Sequence, residues 1–88
     1  MINPEKVAIY KKFAGDIDGW TRMASATEKA ILTGDDWRQI DSFIQDFGLI
    51  KAGLASARYA EKLHARIAES VSDVETLAAL KELGKQLA

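Results

Sequence analysis

Glu61 and His64 stand three residues apart in Glu61-Lys62-Leu63-His64, a spacing that puts a carboxylate and an imidazole one turn apart on the same helix face. Carboxylate-bridged di-iron bundles use this pair twice, with two further carboxylates, so this chain could complete such a site only by pairing with a second copy. In an antiparallel arrangement of the first two helices, Glu5 falls level with Leu63 and is the acid that could join them. Glu5, Glu61 and His64 are therefore the metal candidates. Against them, Lys6 and Lys62 flank the cluster, and Glu-x-x-His arises often by chance in charged helices. The expectation is that no metal or other cofactor is held, with a metal-binding bundle as the remote alternative.

Other chemistry finds less to build on. Asp16-Ile17-Asp18-Gly19 resembles part of a calcium loop, but placing Gly19 at the sixth position puts Ala14 at the first ligand and Ser25 where a bidentate Glu is required. There is one His and no Cys, and Ser25, Ser42, Ser56, Ser70 and Ser72 all read as helix or cap residues. A nucleophilic triad also needs an orienting carboxylate and an oxyanion pocket, which a thin helical bundle has poor means to enclose. The glycines are dispersed singly, so no phosphate-cradling loop is present. No catalytic residue is assigned, and the chain reads as a non-enzyme.

The elements that would position these residues are helical. Asn3-Pro4 is a helix start, with Asn as N-cap and Pro where its missing N–H costs nothing. Tyr10, Phe13, Ile17, Trp20, Ala24, Thr27 and Ile31 then recur at alternating three and four, which predicts a first helix over 4–32. Gly15 and Gly19 interrupt it at a cost of roughly 1 kcal/mol each, yet the seam stays in phase across both, favouring continuity with a kink as the alternative. Thr33-Gly34-Asp35-Asp36 reads as a stop and restart, with Asp36 and Gln39 at capping-box spacing.

A second helix over 36–70 follows, about 50 Å long at 1.5 Å per residue. Its first half is apolar at Ile40, Phe43, Ile44, Phe47, Ile50 and Leu54; its second half is apolar on a side turned by roughly 140°, at Leu49, Ala52, Gly53, Ser56, Ala60, Leu63 and Ile67. Gly48 lies at the changeover and marks a possible kink. Ser72 and Glu75 form another box that opens a third helix over 73–86, with a seam of Val74, Leu77, Leu80, Leu83 and Leu87. If it turns back on the second helix, Gly84 faces Ala60. The expected fold is all-α: one domain, 1–88, an antiparallel hairpin of two long helices closed by a short third one.

Composition narrows the partners. Twelve Lys and Arg against thirteen Asp and Glu give a net charge of −1, with the signs interleaved, so the basic face a nucleic-acid binder needs is not expected. No apolar run approaches the roughly 18 residues of a membrane span, and no basic segment followed by an apolar run opens the chain. With no cysteine, the expected setting is the cytoplasm.

The short third helix would leave the turn end of the hairpin uncovered, and that end is aromatic: Trp20, Met23, Trp37, Ile40, Phe43, Ile44 and Phe47. Exposing several such side chains would forfeit several kcal/mol at about 25 cal/mol per Å². The expected remedy is a homodimer joined through these seven residues as a four-helix bundle. The expected function is that of a protein-interaction module. The alternative is a partner-binding protein of the immunity, antitoxin or chaperone kind, directing Asp16, Asp18, Asp35, Asp36, Asp41 and Asp46 at a basic surface.

Overall fold

A computed structural model describes residues 1–87, with side chains through Gln86. Among these residues the chain is helical with no strand, in the order α1 (Pro4–Lys12), α2 (Ile17–Met23), α3 (Ala26–Ile31), α4 (Gly34–Lys51), α5 (Ala57–Ser70) and α6 (Val74–Leu87). The Leu87 side chain, the last member of the expected third seam, lies outside the described residues. No helix among them is long and apolar enough to cross a membrane.

The helix expected over 4–32 is three short helices. After Lys12 the chain turns through Ala14 at φ 50° and Gly15 at φ 77°, both left-handed, which ends α1 and aims α2 in a new direction. A second break follows Met23, where Ser25 and Glu28 form a reciprocal capping box: Glu28 N–H donates to Ser25 Oγ at 3.1 Å and Ser25 N–H to Glu28 Oε1 at 3.1 Å. With the helix divided, the seam is not one buried line: Ile17 and Thr27 are exposed while Tyr10 and Trp20 are buried.

The helix expected over 36–70 is also divided. It starts earlier, because Thr33 rather than Asp36 is the N-cap: Asp36 N–H donates to Thr33 Oγ1 and Thr33 N–H to Asp36 Oδ2. It ends in a Schellman turn, in which Gly53 at φ 71° donates to the Ile50 carbonyl at 3.1 Å and Leu54 N–H to the Leu49 carbonyl at 3.1 Å. Ser56 then caps α5 by accepting the Tyr59 N–H at 3.2 Å. The break lies at Gly53, so Gly48 remains inside α4. For α6 the cap is one residue later than expected: Asp73 Oδ1 accepts the Thr76 N–H at 2.6 Å.

Packing departs from the expected hairpin as well. An antiparallel first pair turning at Gly34 would separate Lys6 from Asp36 by roughly 40 Å at 1.5 Å per residue. Instead Lys6 Nζ lies 2.9 Å from Asp36 Oδ2, and the Tyr10 hydroxyl donates to Asp41, so the contacts advance together along both helices. The element that doubles back on α4 is α5, tied by Arg66 to Asp46 at 3.0 Å and by His64 against the Phe47 ring. α6 lies along α4, not on the small-residue face of α5. A Cβ at Gly84 would stand 2.7 Å from Phe47 Cβ and 3.6 Å from the Ile44 carbonyl oxygen, so the two backbones meet there. Ile2 closes the molecule: its N–H donates to Ser70 at 2.8 Å and its carbonyl accepts the Ser72 N–H at 2.9 Å, strapping the N-terminal residues to the α5–α6 link.

Candidate functional site

The aromatic side chains expected on an open end are the core of the single chain. Trp37 has no exposed surface, Ile40, Phe43, Ile44 and Trp20 are buried, and Phe47 is 6% exposed. The breaks in the first helix bring this about, because α2 carries Trp20 across onto Trp37, with ring centroids 5.2 Å apart, while α1 brings Tyr10 to the other side at 4.5 Å. Of the seven residues expected at a dimer interface only Met23 is at the surface, 77% exposed. The physical basis for that interface is therefore gone: those rings already have cover within the chain.

The polar residues near this core serve the fold. Burial first, then the hydrogen bond to Asp41 and its charge, push the Tyr10 hydroxyl above its ordinary value of 10.0. For Asp36, burial acts upward, but the Lys6 ammonium and the Thr33 N–H and hydroxyl outweigh it and hold the carboxyl below 3.8. Four of the six aspartates expected to face a basic partner are thus engaged internally: Asp35 with Arg38, Asp36 with Lys6, Asp41 with Tyr10 and Asp46 with Arg66. Asp16 and Asp18 make no ion pair among the described residues.

The metal candidates are not gathered. Glu5 is exposed in the first turn of α1, beside the Ile2 strap. Glu61 is exposed on α5, and His64, one turn on, is half-buried with its ring 5.7 Å from that of Phe47. Among the described residues no three His, Cys, Asp or Glu side chains are grouped to hold a metal ion.

His64 instead forms a wall of an open groove of about 240 Å³ between the C-terminal part of α4, α5 and α6. Phe47 and the half-buried Ile50 make its apolar floor, and Lys51, Lys81 and Lys85 stand around it. Lys51 is positioned by donating to the Lys85 carbonyl at 3.0 Å, Lys85 is loosely paired with Glu82 at 3.8 Å, and Lys81 makes no ion pair among the described residues. Sequence reading missed this site. Lys51 is 30 and more residues from Lys81 and Lys85 in sequence, and the α4–α6 contact at Gly84 brings them together. Their repeat on α6, Lys81 and Lys85 one turn apart, was the one signal available.

Comparison with protein-family models, with curated proteins and with solved structures yields no match for this chain.

Proposed function

We propose that this chain is a non-enzymatic helical interaction module and that the lysine-ringed groove between α4, α5 and α6 is its binding element. The supporting observation is an apolar groove lined by the side chains of three lysines in a chain whose overall charge is −1. The groove, at about 240 Å³, falls below the roughly 300–1,000 Å³ typical of small-molecule pockets and is open along one side. It suits one large apolar side chain offered by a protein surface, held between carboxylates that the lysines attract. Catalysis is disfavoured by the same geometry, since the single imidazole lies against Phe47 and, among the described residues, no serine or carboxylate lines the groove with it. The absence of cysteine suits a reducing compartment such as the cytoplasm.

A synthetic helical peptide presenting leucine between aspartates tests this reading by calorimetry at low salt. Binding is expected, and Lys81→Glu is expected to weaken it about tenfold, since reversing a charge beside the anchor turns attraction into repulsion. No binding, or binding indifferent to Lys81→Glu, removes the groove as the functional element.

A further inference from the structure

We propose that the groove's occupant is a second copy of this chain, entering with its Asp16-Ile17-Asp18 corner; the proposal rests on the groove being a binding element. The corner is the chemical inverse of the groove. Ile17 opens α2 and is 40% exposed, with exposed Asp16 before it and exposed Asp18 after it. Asp18 has no ion-pair partner among the described residues, and Asp16, at the N-cap position of α2, accepts no capping hydrogen bond although its carboxylate lies over Gly19. Arg22, one turn on from Asp18, directs its Nε at the main-chain carbonyl of Asp18, 3.4 Å away, and not at the carboxylate.

An apolar side chain between two exposed carboxylates thus faces, on another copy, an apolar floor lined by three lysines. The corner's conformation is set in advance by the left-handed pair Ala14 and Gly15, so little ordering entropy is lost on docking. Reciprocal insertion also closes. If Ile17 of each copy enters the groove of the other, a two-fold dimer results with both grooves filled and none left to propagate a fibre. Met23, exposed on the same short helix, would add apolar contact beside each corner.

Sedimentation velocity at about 100 µM protein and about 50 mM salt, where charge pairing is weakly screened, provides the test. The wild-type chain is expected to sediment as a dimer. Lys81→Glu and Asp18→Lys are each expected to weaken association about tenfold or more, and the double variant, with the charges exchanged, is expected to restore it. Both positions are exposed, so helical circular dichroism is expected to be unchanged in all three variants. A monomeric wild type, or a double variant no better associated than the singles, overturns the proposal. If the wild type is monomeric yet binds the leucine–aspartate peptide through Lys81, self-association fails and the groove stands as a site for another protein. If it binds neither, both readings fail together.

Discussion

The two ends of α4 carry apolar side chains of different size and cover them to different extents. At the Trp37 end, Tyr10 of α1 and Trp20 of α2 both pack on Trp37, which has no exposed surface. At the Lys51 end only α5 and α6 flank the helix; Phe47 and Ile50 form the floor of an open groove, and Leu54 beyond them is 76% exposed. A small domain cannot cover everything, and burial is worth most where the rings are largest, each aromatic side chain removing about 150–250 Å² from water. Breaking the first helix twice loses a few backbone hydrogen bonds and gains enclosure of two tryptophans. The open end is what the described helices leave uncovered.

The sharpest way to break this comparison is to truncate a side chain at each end and compare urea denaturation. Trp37→Ala is expected to cost about 3–5 kcal/mol, enough to unfold much of the population in a domain this small. Leu54→Ala is expected to stay within about 0.5 kcal/mol. Comparable losses at both ends would mean that the open end is part of the core.

Next in size is Gly84→Ala. A Cβ there would stand 2.7 Å from Phe47 Cβ, so α6 must move away from α4 at an expected cost of about 1–3 kcal/mol, again read by urea denaturation. The same displacement would widen the groove. A stability unchanged by Gly84→Ala would show that the α4–α6 approach is looser than the structure has it.

The backbone turns at the two ends make a finer pair. Gly53 at φ 71° closes α4, and Gly53→Ala is expected to lose about 1 kcal/mol although nothing lies within 4 Å of the added Cβ. Ala14 at φ 50° holds a conformation alanine disfavours, so Ala14→Gly is expected to gain up to about 1 kcal/mol. Thermal denaturation of the two variants should shift in opposite directions; the same direction would contradict the assignment of both turns.

The smallest expected effects are pH-dependent and belong to the sealed end. Asp36 is held below its ordinary value, so its contribution is full above about pH 4 and is lost as pH falls through its depressed native value. Tyr10 is raised, so its contribution is full below about pH 10 and declines as pH rises beyond that, where the unfolded phenol ionises and the native one does not. Stability curves of Asp36→Asn and wild type should therefore converge in acid, and those of Tyr10→Phe and wild type in alkali. Parallel curves would place neither group where the structure has it.

Much of the local structure was legible because it depends on near neighbours. Asn3 before Pro4 caps α1, accepting the Lys6 N–H at 3.0 Å, and the apolar positions Tyr10, Trp20, Trp37, Phe43 and Phe47 are core positions of the fold. The breaks were less legible. Ser25 with Glu28 is a capping box in plain view, but Ala24, Thr27 and Ile31 continue the three-and-four spacing past it, just as Phe13, Ile17 and Trp20 carry it across Gly15 and Gly19. Likewise Gly53 and Ser56 are a stop and a start, yet both fall on the stripe of Leu49, Ala52, Ala60, Leu63 and Ile67 and so read as a small-residue helix face. The groove was not legible, because Lys51 comes from α4 and Lys81 and Lys85 from α6.

By itself the sequence determined that the chain is helical, where several helices begin, and which side chains are too apolar to remain in water, because capping and periodicity act within a few residues. Only the tertiary structure decided which of those side chains the chain covers for itself and which surface it leaves open. That choice depends on the directions the helices take after Ala14, Ala24 and Gly53, and turns of a few residues set directions whose consequences appear only when distant segments meet.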